Sequence, residues 1–295
     1  MRQLLEKALI FLKLIQLNTL KQQQLNINCK YILKPVMNSN FLIELENVDR
    51  RFTSPEGKII QVLDNFSMTV KPGEFCAVVG PTGCGKSTTL SLISGLAKAN
   101  AGKVLIEGKE FEGIDSRVGY VFQTDAVFPW KNVLDNVAVG PLFRGVDKKE
   151  AIEKSLDWIK RVGLQGFEHH YPHQLSGGMR KRVALAQTFI NSPDILLMDE
   201  PFSSLDVQTK LLMQQELLQL WSKHKAAVVF VTHDIEEATI LADKVYVLSK
   251  RPTKVKKIYN VDIERPRIVT ETRYTKKFIE ISKSIWNDLS EEVNI

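Results

Sequence analysis

A glycine-rich stretch at residues 80–87 combines residue types that bind phosphate. It reads Gly-Pro-Thr-Gly-Cys-Gly-Lys-Ser and lies between an apolar run, residues 75–79, and a helix-like run. Glycines permit backbone angles that turn successive N–H groups toward phosphate oxygens, and a helix that starts there presents its positive dipole end to the same anion. Lys86 would reach the β- and γ-phosphates, and the Ser87 hydroxyl would bind Mg²⁺. The predicted phosphate-binding residues are Gly80, Pro81, Thr82, Gly83, Cys84, Gly85, Lys86, Ser87 and Thr88.

Two adjacent carboxylates, Asp199 and Glu200, follow the apolar residues 195–198. The apolar run predicts a strand buried on both faces, and ligands bind at the carboxyl ends of such strands in open parallel sheets. Asp199 is placed to hold Mg²⁺, usually through water, and Glu200 to activate an attacking water. The sequence therefore predicts phosphoryl chemistry as well as phosphate binding.

A third motif, Leu-Ser-Gly-Gly-Met at residues 175–179, precedes a helix-like run at residues 180–186. Together with the phosphate loop and the two carboxylates, this motif resembles the nucleotide-binding subunit of an ATP-binding-cassette (ABC) transporter. The resemblance covers residues 41–250 and implies that Ser176, Gly177 and Gly178 complete the ATP site of a second copy. One chain would then hold half of each of two ATP sites in a head-to-tail homodimer.

The other family motifs occur in the expected order. The resemblance implies that Gln123 senses Mg²⁺ and the attacking water, that Asp206 belongs to the loop at residues 203–206, and that His233 contacts the γ-phosphate. It also implies that Phe52 stacks on adenine, for which any aromatic face suffices. The predicted catalytic residues are Glu200, His233, Gln123 and Lys86, and the predicted Mg²⁺ ligands are Ser87, Gln123 and Asp199. The implied cofactors are ATP and Mg²⁺.

The expected fold class is α/β, a P-loop NTPase of the ABC type with a mainly parallel sheet core. An antiparallel β subdomain should hold Phe52, and an inserted helical subdomain should span about residues 124–190. Within it, apolar residues at helical spacing predict a helix at residues 148–162 that ends at Gly163. We divide the chain into an N-terminal extension at 1–40, an ATPase domain at 41–262 and a helical tail at 263–295.

The distribution of charge and apolar residues bears on the partners. The chain has a net charge of +6, but residues 1–40 hold six basic residues and one acidic residue, so the remainder is nearly neutral. This argues against a nucleic-acid groove. No uninterrupted apolar run reaches about 18 residues, so no membrane-spanning helix is predicted. The pore should therefore be a separate permease, with a solute-binding protein as an indirect partner, and the chain should sit peripherally on the cytoplasmic face of the inner membrane.

Two further segments resemble one branch of importer ATPases. They are Phe-Pro-Trp at residues 128–130 and Glu-Arg-Pro-Arg at residues 264–267, which is followed by an apolar helical stripe. Both resemble the nitrate, sulfonate and taurine importers, so the expected cargo is a small solute of that kind. The alternatives are the separate ATPase of an exporter and a soluble cassette protein without a transport role.

Several weaker signals keep more than one interpretation. The extension at residues 1–40 is either a basic amphipathic helix on the membrane surface or an untranslated stretch before a start at Met37. His169 and His173 have an i, i+4 spacing typical of metal ligands, but no third ligand accompanies them. Cys84 is either a thiol that makes the loop sensitive to reagents or a small tolerated side chain.

Overall fold

A computed structural model of the chain describes residues 40–111 and 113–293. In these residues the elements are β1 (Ile43–Thr53), β2 (Ile59–Val70), β3 (Phe75–Val79), α1 (Lys86–Ile93), β4 (Ala101–Ile106), β5 (Lys109–Glu110), β6 (Val118–Val121), α2 (Val133–Phe143), α3 (Lys148–Arg161), a 3₁₀ turn (Pro172–Gln174), α4 (Gly177–Phe189), β7 (Ile195–Asp199), α5 (Val207–His224), β8 (Ala227–Val231), α6 (Ile235–Leu241), β9 (Lys244–Leu248), β10 (Val255–Asn260), α7 (Val269–Thr272) and α8 (Lys276–Val293). Apart from Asn40, the predicted N-terminal extension and the alternative start at Met37 lie outside the described residues.

The described residues form two compact units. The helical unit comprises Ser116–Pro193 and Pro201–Lys210. The sheet unit comprises the described residues up to Asp115, then Asp194–Glu200, and then the described residues from Leu211 onward. Each unit is built around its own buried side chains.

The sheet unit contains a mainly parallel sheet in the order β10-β9-β3-β8-β7. Strand β3 pairs in parallel with β8 and β9, β7 pairs in parallel with β8, and only β10 is antiparallel to its neighbour. Every residue of β3, β7 and β8 is buried, as expected for parallel strands covered on both faces. The ring of Phe75 contacts Trp221 edge-on at 5.8 Å between centroids.

A second, antiparallel sheet in the same unit has the order β2-β1-β4-β5. Ile43 of β1 pairs with Val70 on one side and with Ile106 on the other, and all three are buried. Farther along the same strand, Phe52 pairs with Ile60. The antiparallel β piece predicted to carry Phe52 is therefore present.

The tail after β10 is fastened to the sheet unit by the two arginines of the Glu-Arg-Pro-Arg motif. Arg267 is buried and donates hydrogen bonds to the main-chain carbonyls of Ile240 and Ala242 at 3.0 and 2.8 Å. Burial lowers the pKa of the Arg267 guanidinium to about 10. Arg265 donates from Nε to Oδ1 of Asp243 at 2.7 Å. The motif thus ties the tail to the end of α6.

The helical unit contains α2, α3 and α4, whose apolar faces pack together. Trp158 of α3 stacks on Phe189 of α4 with 5.8 Å between centroids. The predicted helix at 148–162 forms as α3; Asp147 caps its start, and Gly163 follows its C-cap with φ +67°. The buried side chain of Asn136 bonds the backbone N–H and C=O of Phe128 at 2.7 and 3.1 Å. This amide therefore fixes the Phe-Pro-Trp turn that the sequence singled out.

No described helix is both long enough and apolar enough to cross a bilayer.

Candidate functional site

The phosphate loop connects the end of β3 to the start of α1. Gly85 is the N-cap of α1 with φ +125°, and a Cβ at this position would lie 2.8 Å from Cγ1 of Val62 in β2. Only glycine fits this backbone and this close approach. The Nζ of Lys86 donates to the carbonyls of Gly80 and Pro81 at 2.8 and 3.0 Å, so the amine lies inside the curve of the loop.

The serine that follows the lysine lies against the first carboxylate. Oγ of Ser87 is 3.1 Å from Oδ1 of Asp199, the last residue of β7. A hydroxyl and a carboxylate supply the oxygen ligands that Mg²⁺ prefers, and Mg²⁺ usually completes its shell with water and substrate phosphates. The donor set therefore fits Mg²⁺.

Glu200 occupies a special backbone position. Its φ is +45°, in the left-handed region that few residues other than glycine adopt, and its N–H donates to the carbonyl of Val231 at 2.9 Å. Oε2 of Glu200 lies 3.1 Å from Nδ1 of His233. Because β7 and β8 are parallel neighbours, the carboxylate and the imidazole emerge at the same edge of the sheet.

A hydrogen-bonded cluster that the sequence reasoning missed involves the chain neighbours of His233. Oγ1 of Thr232 donates to Oε2 of the buried Glu237 at 2.7 Å, and the N–H of Asp234 donates to Oγ1 of Thr232 at 3.0 Å. Asp234 in turn caps α6 by accepting from the N–H groups of Glu236 and Glu237. The residues on both sides of His233 are therefore fixed. The sequence did contain a signal for this cluster. Asp234, two residues after Thr232, has the residue type of a helix N-cap and therefore indicates a helix that carries Glu237.

Phe52 lies on the antiparallel sheet and the residue is 41% exposed. The guanidinium carbon of Arg50 is 4.5 Å from the ring centroid. A core phenylalanine would be covered, so the exposure of Phe52 fits a ligand contact better than core packing.

Cys84 behaves differently from a reactive thiol. It is buried, and burial raises the pKa of its thiol.

The Leu-Ser-Gly-Gly-Met motif lies in the helical unit at the start of α4. Ser176 is the N-cap, and its Oγ accepts from the N–H of Met179 at 3.2 Å. A Cβ on Gly178 would lie 3.3 Å from Cδ2 of Leu205. The loop at residues 203–206 therefore lies beside Gly178. The side chain of Asp206 accepts from the N–H of Thr209, and hydrogen bonds from Thr209 lower the pKa of that carboxylate.

Gln123 also belongs to the helical unit, and α4 holds its backbone. Nζ of the fully buried Lys181 donates to the carbonyls of Phe122 and Gln123 at 2.6 and 2.9 Å. The residue before Lys181 in the same helix is Arg180, whose Nε is 3.2 Å from Oδ2 of Asp125. Sequence reasoning missed both anchors, because a basic pair just after a helix start normally predicts an exposed face.

The predicted site residues thus fall into two sets. The sheet unit carries Phe52, the phosphate loop, Asp199, Glu200 and His233. The helical unit carries Gln123, Ser176, Gly177, Gly178 and Asp206. Within the sheet unit Ser87 meets Asp199, and Glu200 meets His233. Within the helical unit Lys181 of α4 bonds the backbone of Gln123, and Gly178 belongs to the first turn of α4.

Comparison with known proteins identifies the family to which a chain with these site residues is similar. The sequence model of the ABC transporter family matches residues 63–203. An ABC transporter ATP-binding protein of Methanocaldococcus jannaschii is 47% identical over 251 residues, which cover 85% of this chain and 92% of the relative. The taurine import ATP-binding protein of Pelagibacter ubique is 37% identical over 84% of this chain and 96% of its own length. The aliphatic sulfonates import ATP-binding protein of Bacillus cereus is 36% identical over 82% and 94%.

Comparison with solved structures also finds ATP-binding cassettes. A dimeric ATP-binding cassette in a post-hydrolysis state, bound to ADP and Pi, superposes with a TM-score of 0.69 at 32% identity. It covers 75% of this chain and all of its own chain. The predicted fold class, a P-loop NTPase of the ABC type, is confirmed.

Proposed function

The chain belongs to the ABC transporter family of ATP-binding proteins, and from this premise we propose that it is the ATP-hydrolysing subunit of an importer for a small sulfonate-type solute. The observation that carries the proposal is the edge of the parallel sheet where Ser87 meets Asp199 and Glu200 meets His233. A metal-binding pair and a base-histidine pair beside a phosphate loop provide what ATP hydrolysis needs.

In this proposal each group has one task. Lys86 and the loop N–H groups hold the β- and γ-phosphates, and Phe52 stacks on the adenine. Glu200 accepts the proton of the attacking water, and His233, held 3.1 Å from it, orients that carboxylate and contacts the γ-phosphate. Mg²⁺, which Ser87 and Asp199 would hold, would neutralise charge on the phosphates.

We propose that the site is completed by a second copy. Ser176 and Gly178 begin a helix, and the N-terminus of a helix offers free N–H groups and a positive dipole end to an anion. These N–H groups would face the γ-phosphate bound by the partner copy and stabilise the charge that develops there. Asp206, whose loop lies beside Gly178, would lie near the interface between the two copies. The dimeric cassette bound to ADP and Pi supports this arrangement.

The named relatives support a proposal for the cargo, and the remaining partners belong to the same proposal. Import proteins for taurine and for aliphatic sulfonates match this chain over most of its length, which supports a solute of this kind and supports import. A separate permease would form the pore, a solute-binding protein would deliver the cargo, and this chain would bind the permease at the cytoplasmic face of the inner membrane.

We also propose that the chain divides into three parts. These are an N-terminal extension at residues 1–40, an ATPase domain at 41–262 with a helical subdomain at about 124–190, and a helical tail at 263–295.

Lys86→Ala tests the proposal. The variant should lose ATP hydrolysis and bind ATP more weakly, because the charge that meets the phosphates is gone. Lys71→Ala removes one charge from an exposed turn of the same unit and serves as the matched control. Hydrolysis at the control rate by Lys86→Ala would contradict the proposal.

The cargo needs its own experiment. Cells that lack the endogenous gene and carry either the wild-type chain or Lys86→Ala should differ in uptake of radiolabelled taurine or an alkanesulfonate. Equal uptake by both strains, together with a difference in nitrate uptake, would replace the proposed solute.

A further inference from the structure

The turn between β9 and β10, residues 249–254, is fastened beside the phosphate loop. Thr253 is fully buried, and its Oγ1 donates to the carbonyl of Cys84. The N–H of Thr253 donates to the carbonyl of Val62 at 2.9 Å, and its carbonyl accepts from the N–H of Asp64 at 3.1 Å. Because these bonds run to the loop and to β2, the turn has a fixed position relative to the phosphate loop.

The same turn carries an arginine whose head group lies at the loop. A Cβ on Gly83 would lie 3.2 Å from Nη2 of Arg251, and Gly83 has φ +75°. The positive charge of Arg251 also acts on the loop electrostatically, since it partly offsets the effect of burial on the pKa of the Cys84 thiol. Arg251 is an exposed residue, so it does not serve as core packing.

The other two cations of the turn are placed differently. Nζ of Lys254 is paired with Oδ2 of Asp64 at 3.0 Å. Lys250 is tied to Glu292, whose Oε2 accepts from the backbone N–H of Lys250 at 2.9 Å and whose pKa the Lys250 charge helps to lower. Across residues 40–111 and 113–293, no carboxylate forms an ion pair with Arg251. A guanidinium that faces a phosphate loop without an acidic partner has the geometry and charge to bind a phosphate oxygen.

We propose that Arg251 is a further nucleotide-binding residue, whose guanidinium contacts the polyphosphate of ATP held by the phosphate loop. This inference rests on the proposed function, because it requires that ATP binds at residues 80–88. The buried Thr253 holds the turn, so little ordering of the backbone is needed when the nucleotide arrives.

The test is equilibrium titration of the purified full chain with a fluorescent ATP analogue. Arg251→Gln keeps the stem and removes the charge, and it should weaken binding by about tenfold, as expected for loss of a hydrogen bond to a charged group. Arg251→Lys keeps a point charge without the planar fork, and its affinity should lie between that of the wild type and that of Arg251→Gln. Lys250→Ala removes one charge from the same turn and should bind like the wild type. The difference between Arg251→Gln and the wild type should shrink as salt is raised.

Two outcomes separate the inference from the proposed function. If the wild type binds ATP, Lys86→Ala binds poorly, and Arg251→Gln binds like Lys250→Ala, the inference is overturned and the proposed function stands. If the wild type does not bind ATP, or Lys86→Ala binds as well as the wild type, the proposed function fails and the inference fails with it.

Titration with AMP tests whether Arg251 contacts the β- and γ-phosphates, which AMP lacks. Arg251→Gln should affect AMP binding less than ATP binding.

Discussion

Nδ1 of His233 lies 3.1 Å from Oε2 of Glu200, at the ends of neighbouring parallel strands. The carboxylate reaches this position from a backbone in the left-handed region, and the imidazole is flanked by the Thr232–Glu237 hydrogen bond. Unusual backbone angles persist where the surrounding structure imposes them, and they cluster at functional sites. The pair therefore forms the expected centre of the chemistry.

Glu200→Gln should separate binding from hydrolysis. The amide keeps the shape of the side chain but cannot accept a proton, so hydrolysis should fall by about two to four orders of magnitude while ATP still binds. Asp199→Asn should instead weaken Mg-ATP binding, because Asp199 is the carboxylate that meets Ser87. On size exclusion with ATP, Glu200→Gln should elute as a dimer and Asp199→Asn as a monomer. A monomeric Glu200→Gln variant with a normal rate would contradict the role of Glu200.

Phe52→Ala should weaken ATP binding by roughly 1–3 kcal/mol, the range for loss of one aromatic stack on a base. Because the residue is 41% exposed, little core packing is removed, and the midpoint of thermal unfolding should change little. Phe52→Tyr keeps the aromatic face and is the matched control. Unchanged affinity of Phe52→Ala in calorimetric titration would show that adenine does not stack there.

Ser176 allows the composite site to be tested without damage to the helix. Asn and Asp both cap helices about as well as serine, so Ser176→Asn and Ser176→Asp should preserve the start of α4. Only the aspartate adds a negative charge that would face the γ-phosphate held by the partner copy. In the Glu200→Gln background, Ser176→Asp should lose ATP-dependent dimerisation and Ser176→Asn should retain more of it, as measured by light scattering. Equal dimerisation of both variants would contradict the composite site.

Lys181→Met tests whether the backbone anchor of Gln123 matters for catalysis. The lysine amine holds the carbonyls of Phe122 and Gln123, so its removal should displace the Gln123 side chain. We expect the kcat of ATP hydrolysis to fall by about 10- to 100-fold, the cost of a displacement of about 1 Å, with ATP affinity nearly unchanged. Lys154→Met removes an exposed lysine of an i, i+4 pair and should have no effect. A kcat equal to that of the control would make the anchor purely structural.

Sequence reasoning predicted much of the fold because the strands of the parallel sheet are uninterrupted apolar runs, as in residues 75–79 and 195–198. The loop at 80–87 was readable for a similar reason, since its glycines are demanded by local backbone angles. The same holds for the helix that ends at Gly163. These features depend on residues close together in the chain.

The features that were missed depend on contacts between distant residues. Lys181 lies 58 residues from Gln123, and Thr253 lies 169 residues from Cys84. Nothing in the local pattern around a basic residue tells whether it faces water or a set of carbonyls. Lys181 and Arg251 are both basic residues in polar stretches, yet the first is fully buried and the second is exposed beside the phosphate loop.

Glu292 provides a stability test that depends on pH. Its Oε2 accepts from the N–H of Lys250 at 2.9 Å, and its Oε1 lies 3.1 Å from Nζ of Lys256. The hydrogen bond from the backbone of Lys250 lowers the pKa of the carboxylate below its ordinary value of 4.5. A carboxylate whose pKa is lower in the folded state stabilises the fold fully above the unfolded pKa, and this contribution is lost as pH falls through the folded pKa.

Glu292→Gln should therefore lower the midpoint of thermal unfolding at pH 7 by about 2–4 °C, as expected for a loss of about 1 kcal/mol. As pH falls below 4.5, the midpoints of the variant and the wild type should converge, because the wild-type carboxylate also becomes neutral. Glu291→Gln removes the neighbouring charge, whose side chain is 70% exposed, and should change the midpoint at pH 7 by less. A gap between Glu292→Gln and the wild type that stays constant from pH 7 to the acid limit would show that the tail is held by packing rather than by this carboxylate.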